Sequence, residues 1–171
     1  MTTRTSLAAL AFIACAALSN LLTSRYGLVP VGFGLVASAG TFTAGLALGC
    51  RDLLQRWGGR NASLAAIAAG SLLSLLLGAD GRIALASAGA FLVSELIDLT
   101  AYTSTARRYG HRTGVLASNT LAAPIDTLAF LLLAGFPLTW PALAGQVLGK
   151  LVYSTLVPLG LVAARPAQRP A

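Results

Sequence analysis

The sequence predicts an all-α polytopic membrane protein whose six transmembrane helices form a single integral membrane domain over residues 1–171. Of the 171 residues, 56% are hydrophobic and only 10% are charged, whereas a water-soluble domain typically carries about 25% charged residues. The mean hydropathy is +0.78. Apolar runs near the roughly 20 residues that cross a bilayer recur along the chain. These observations exclude a disordered chain, a coiled coil and an ordinary water-soluble domain.

The predicted spans are separated by short connections. The spans cover about residues 6–24, 31–50, 62–78, 83–106, 113–134 and 141–164. The connections carry helix breakers, among them Gly27, Pro30 and the pair Gly58-Gly59. The first span also resembles a cleaved signal peptide. We expect it to be retained, because the basic segment before it is weak and five further spans follow.

The distribution of basic residues predicts the orientation. If the N-terminus lies inside, nine of the twelve basic residues fall on inner segments, and only Arg25 and Arg82 fall on outer ones. The inner set includes Arg51, which is expected in the loop between spans two and three, with Asp52 as a local ion-pair partner. Inner loops of membrane proteins carry an excess of Lys and Arg, so both termini are predicted to be cytoplasmic.

Neither a metal site nor a catalytic site is expected. Cys15 and Cys50 lie in apolar stretches, which is typical of small core residues, and one histidine without any Cys/His cluster excludes a structural zinc site. Metalloprotease, serine-hydrolase and phosphate-loop motifs are missing from the sequence. Asp98 and Asp126 are conceivable as a two-aspartate intramembrane protease, but their flanking residues do not match such enzymes. We therefore predict no catalytic residues and no cofactor.

Ionisable residues inside the predicted spans are the main functional signal. Each costs roughly 2.5–3.5 kcal/mol at mid-bilayer on insertion scales and is usually turned toward a protein interior or a wet cavity. They belong to three polar helix faces, formed by Glu95, Asp98 and Tyr102 on span four, Asn119 and Asp126 on span five, and Gln146, Lys150 and Tyr153 on span six. Because Glu95, Asp126 and Lys150 lie at similar depths, we expect them to meet in one central pocket.

Structural roles are the alternative for the same residues. In this alternative, Lys150 forms a purely structural ion pair between helices with Asp126 or Glu95 and binds no ligand. Asn119 and Gln146 are then interhelical hydrogen-bonding groups, and the tyrosines fill space or lie at the membrane interface.

Four blocks of residues resemble the VUT family of membrane proteins, the queuosine-precursor transporters, over about residues 18–162. The blocks are Ser19-Asn20-Leu21-Leu22, Ala90-Phe91-Leu92-Val93-Ser94-Glu95-Leu96-Ile97-Asp98, Ala117-Ser118-Asn119-Thr120 with Pro124-Ile125-Asp126-Thr127, and Gly145-Gln146 with Lys150. The chain departs from the family after span two, where Asp52 is followed by Gln55 rather than by a glutamate.

The resemblance implies import of a 7-deazaguanine such as the cyano or aminomethyl precursor (preQ0 or preQ1) across a bacterial inner membrane. It also implies a six-helix layout similar to the substrate-binding subunits of energy-coupling-factor transporters. The substrate-binding residues expected on this basis are Asn20, Glu95, Asp98, Tyr102, Asn119, Asp126, Gln146 and Lys150. A carboxylate would accept hydrogen bonds from the guanine-like edge, an amide would read the remaining edge, a tyrosine would stack, and the lysine would donate to the carbonyl oxygen.

Two other functions stay open. The chain could be the substrate-binding subunit of a multi-component vitamin or nucleobase transporter, or a non-transporting structural membrane protein. The expected partners are a small-molecule substrate and the lipid bilayer, without nucleic acid, and a homo-oligomer or an energising module is also compatible with the sequence.

Overall fold

Helices make up most of the protein, as the sequence predicts. The computed structural model describes residues 3–163, apart from the side chains of residues 98–104, 106–107, 111–112, 114–115, 118–119 and 155–163. The elements in this part of the chain are α1 (Thr3–Tyr26), β1 (Leu28–Gly32), β2 (Leu35–Ser38), α2 (Thr41–Leu76), α3 (Gly81–Tyr109), α4 (His111–Ala134) and α5 (Trp140–Ala163).

The second predicted span begins later than expected, because residues 28–38 form an antiparallel hairpin instead of a helix. The helix begins at Thr41, not at Val31. The turn residues Phe33 and Gly34 have φ angles of 54° and 72°, which is the backbone that two-residue hairpin turns require. Pro30 lacks the N–H group that the interior of a helix would need. The valines on either side of it are β-branched and favour a strand.

Helix α2 is longer than predicted and contains a kink. The segment 51–58, expected in a loop, is helical, and only Gly59 leaves the helical conformation, with φ 80° and ψ 176°. Helix formers such as Leu53 and Leu54 sustain the helix up to the glycine pair. Gly59 therefore divides α2 into a first segment, 41–58, and a second segment, 60–76.

Two apolar clusters hold the helices together. The first lies between α1, α2 and α3, where the rings of Phe12 and Phe91 meet edge-to-face with centroids 5.4 Å apart. Cys15 and Cys50 are free thiols that pack against this cluster. The second cluster joins α3 to α4 through Ile83, Phe130 and their neighbours. Together the clusters fix α3 between α1 and α4.

The hairpin packs closely against α5 because Gly145 on α5 has no side chain. A Cβ atom at Gly145 would overlap the carbonyl oxygen of Val36 on β2. The contact brings Ser38, at the end of β2, against the buried face of α5.

Among the described residues, one helix is long and apolar enough to cross a bilayer, and that helix is α1. A shorter apolar helical stretch covers Thr120–Ala134 in α4.

Candidate functional site

A buried ion pair joins α4 to α5. The Nζ atom of Lys150 donates to Oδ2 of Asp126 at 2.6 Å, and the two residues are 2% and 4% exposed. The ammonium group also lies 5.6 Å from the ring centroid of Phe130, within range of a cation–π interaction. The expected contact between Lys150 and a carboxylate of a neighbouring span is thus formed with Asp126.

The ion pair borders a small cavity of about 20 Å³ between the helices. Its lining combines the ion pair with three hydroxyl groups and an apolar wall, namely Ser19, Ser38, Ser87, Asp126 and Lys150 with Ala44, Ala90, Phe91 and Phe130. A cavity of this size holds about one water molecule. The polar centre is therefore closed to a ligand of two fused rings in this conformation.

Gln146 lies one helical turn before Lys150 and is fully buried. Its Oε1 accepts a hydrogen bond from Ser38 at 3.4 Å, and the Ser38 hydroxyl also bonds to that of Thr41 at 2.9 Å. Its Nε2 has no hydrogen-bond partner among the described residues. A buried donor without a partner costs about 1–3 kcal/mol. Such a cost is tolerated most often where the group has a function.

Glu95 belongs to a second polar cluster. Its Oε2 lies 3.4 Å from Nε of Arg51, while the other guanidinium nitrogens of Arg51 contact Asp52 at 3.0 Å and Ser94 at 3.2 Å. Glu95 was expected to meet Asp126 and Lys150 in one pocket. In the structure Lys150 contacts Asp126, and Glu95 does not line the cavity beside them.

Arg51 was expected in a loop, and this prediction is wrong, because the side chain is fully buried inside α2. The expectation that Asp52 pairs with a neighbouring arginine is met by the contact with Arg51. A sequence signal for the burial existed. Arg51 follows Ala47 by four residues and precedes Leu54 by three, so it shares a helix face with two buried apolar residues.

Asn20 connects α1 to the second segment of α2. Its amide nitrogen donates to the Ser74 hydroxyl at 2.9 Å, and both side chains are buried. Asn20 does not line the cavity, although its neighbour Ser19 does.

Three predicted site residues have side chains outside the described part of the structure. Asp98 and Tyr102 lie on helix α3, and Asn119 lies on helix α4. The described residues contain no cluster of three or more His, Cys, Asp or Glu side chains that could hold a metal ion.

Similarity to known proteins places this chain in a transport family. The model of a family described as "Putative vitamin uptake transporter" matches residues 6–163, which is the family that the four sequence blocks resemble. No curated protein and no solved structure matches the chain. Proteins of a transporter family reside in membranes, in agreement with the apolar composition. The match covers most of the chain, so the protein belongs to this family of vitamin uptake transporters.

Proposed function

We propose that the protein imports a 7-deazaguanine precursor of queuosine, preQ0 or preQ1, through a polar pocket around Asp126 and Lys150. The buried ion pair beside a cavity between helices is the observation that carries the proposal. In a membrane protein an intramembrane ionisable residue marks a substrate or ion pathway more often than a purely structural contact. The coarser function, small-molecule uptake, comes from the family.

The chemistry of the pair suits a guanine-like edge. Such an edge offers an N1–H and an exocyclic amine, both of which a carboxylate accepts, and a carbonyl oxygen that takes a hydrogen bond from an ammonium group. Asp126 and Lys150 would exchange their mutual contact for contacts with the ligand. Neither charge would then be left buried without a partner, which is the costly situation for an ion pair.

Gln146 would complete the recognition of the ligand. Its Nε2 is a buried donor without a partner among the described residues, and Ser38, which bonds to its Oε1, lines the cavity. An acceptor on the ligand would satisfy this donor. Asp98, Tyr102 and Asn119 remain proposed members of the same pocket.

Binding requires the pocket to open. Ligand pockets enclose about 300 Å³ or more, against about 20 Å³ in the present conformation. We assign this conformation to a closed state of an alternating-access cycle, in which helices move around a fixed site near the bilayer midplane.

The proposed membrane arrangement uses all helical segments. α1, the two segments of α2, α3, α4 and α5 would each cross the inner membrane, with both termini in the cytoplasm. Removing the buried Arg51 from the nine inner basic residues leaves eight, against two outer ones. The positive-inside rule therefore still favours this orientation.

Rescue of queuosine in tRNA tests the proposal. The protein is expressed in bacteria that can neither make nor import the precursor, and each precursor is supplied at nanomolar concentration. We expect modified tRNA with the intact protein and none with Asp126→Asn. The matched control is Asp80→Asn, which makes the same change at an exposed helix cap. Asparagine caps as well as aspartate does, so this variant should retain rescue.

Absence of rescue by intact protein that has reached the membrane would contradict autonomous import of these compounds. Co-purification with an ATPase module would instead identify the chain as a substrate-binding subunit.

A further inference from the structure

A basic groove lies where the first turn of α1 meets the end of the first segment of α2. The groove is wide open, has a volume of about 570 Å³ and is lined by Thr3, Arg4, Arg56 and Trp57. Both arginines are exposed, and none of the four lining residues is acidic. The local charge therefore suits an anion, and the tryptophan suits the level of the lipid headgroups.

An apolar groove of about 330 Å³ lies between α1 and the second segment of α2. Its walls carry Ala9 and Ile13 on α1 and Ala62, Ala65 and Ala69 on α2. Ala65 and Ala69 are exposed, so the groove opens to the surroundings of the helices. Small side chains on both helices leave the space that a larger residue would fill.

Thr5 on α1 and Gly58 on α2 are in close contact between the two grooves. The hydroxyl of Thr5 donates to the backbone oxygen of Trp57 at 3.4 Å, and a Cβ atom at Gly58 would lie 2.6 Å from Cγ2 of Thr5. Thr5 and Gly58 both line the apolar groove, and each is within two residues of the lining of the basic groove. The two grooves thus follow one another along the same seam between α1 and α2, the cationic one at its end and the apolar one along its length.

We propose that this surface binds one anionic phospholipid. Arg4 and Arg56 would hold the phosphate, Trp57 would lie at the headgroup, and one acyl chain would lie along the alanines. From Thr5 to Ile13 the groove follows α1 for about 12 Å at 1.5 Å per residue, close to the roughly 15 Å of one leaflet's hydrocarbon. Basic pockets between membrane helices are known to select anionic headgroups.

A phospholipid matches both the charge of the basic groove and the shape of the apolar groove. A free phosphate would use the basic groove alone, and a second copy of the chain would use the alanines alone. The inference rests on membrane residence and not on the identity of the transported substrate, so it can fail while the proposed transport function holds.

Native mass spectrometry of the purified full-length protein tests the proposal. The probes are phosphatidylglycerol with 16- to 18-carbon chains, phosphatidylcholine with the same chains, and inorganic phosphate. We expect the double variant Arg4→Gln/Arg56→Gln to bind phosphatidylglycerol about 25-fold more weakly, since each arginine near an anionic lipid contributes about fivefold. Arg108→Gln, an exposed arginine outside the groove, is the matched control and should bind normally.

A second pair of variants tests the apolar half. Ala69→Leu fills the groove and should weaken phosphatidylglycerol binding severalfold, whereas Ala68→Leu, which is exposed but outside the groove lining, should not. Equal phosphatidylglycerol affinity in the wild type and the double arginine variant would overturn the proposal. Equal loss in the controls, saturation by phosphate alone, or a change of oligomeric state with Ala69→Leu but not of lipid binding would overturn it as well.

Discussion

The ammonium group of Lys150 lies 2.6 Å from a carboxylate oxygen of Asp126, and this ion pair between α4 and α5 is almost completely buried. A single pair of this kind can be structural or can exchange its partners with a ligand. The two roles predict different results when the charges are swapped.

The first prediction concerns the swap. Asp126→Ala and Lys150→Ala should each lower the free energy of unfolding by about 3–5 kcal/mol, because each leaves a buried charge alone. Asp126→Lys/Lys150→Asp should regain much of that stability while uptake stays lost, because the ligand would meet the wrong charges. Thermal unfolding in detergent and precursor uptake are the measurements. Recovery of uptake together with stability would assign the pair to structure alone.

The second prediction separates Glu95 from the pocket. Glu95→Ala leaves Arg51 inside α2 without one of its carboxylate contacts, so we expect loss of uptake through a destabilisation of about 3 kcal/mol or more. Arg51→Met/Asp52→Asn/Glu95→Leu removes all three charges of the cluster, so that Asp52 is not left as a charge without Arg51, and it should restore both stability and uptake.

Arg60→Gln is the control for that experiment, because it removes an exposed arginine from the same helix and should change stability by no more than about 0.5 kcal/mol. If the triple variant recovers stability but not transport, a charge of this cluster takes part in substrate binding.

The third prediction uses the donor of Gln146 that has no partner among the described residues. Gln146→Leu removes a buried donor whose desolvation is uncompensated together with one long hydrogen bond from Ser38, which keeps its bond to Thr41, so the free energy of unfolding should stay within about 1 kcal/mol of the wild type or rise. The KM for the precursor should rise at least about tenfold, because a ligand acceptor loses its donor. A variant that unfolds more easily and transports normally would show that Gln146 has only a structural role.

The fourth prediction concerns the contact of the hairpin with α5. Gly145→Ala places a methyl group where the carbonyl oxygen of Val36 lies, and we expect a loss of about 1–3 kcal/mol in stability. Gly70→Ala is the matched helical control, since its nearest neighbour would be the Ala16 methyl at 3.4 Å, an ordinary contact. The control should be neutral or slightly stabilising, because alanine favours helix more than glycine does. Equal stability of the two variants, compared by thermal unfolding, would contradict the close approach.

The helical class and most helix positions follow from the sequence, because apolar runs between glycine and proline breakers are long and regular. The hairpin at residues 28–38 does not follow as easily. Its valines and leucines are as apolar as a span, and a short apolar run cannot be assigned to helix or strand by hydropathy alone. Pro30 and the closely spaced Gly32 and Gly34 were the local signals.

The site was predictable in its residue types but only partly in its pairing. Spacing along α4 and α5 places Asp126 and Lys150 on facing polar stripes, and they are in contact. The pairing of Glu95 with Arg51 depends on α2 remaining helical past Cys50, a tertiary feature that a charge count cannot reveal. The same charge count placed Arg51 among the residues that set topology.

Ligand binding to the purified protein is the most direct test of the proposed pocket. Titration calorimetry with preQ0, preQ1 and adenine should show binding of at least one precursor and none of adenine, which lacks the N1–H and the carbonyl oxygen. Asp126→Asn should weaken that binding at least about tenfold, the effect of a lost charge-assisted hydrogen bond, and Asp80→Asn should leave it unchanged. Failure of the folded wild type to bind either precursor, or equal affinity in Asp126→Asn, would contradict the proposed pocket.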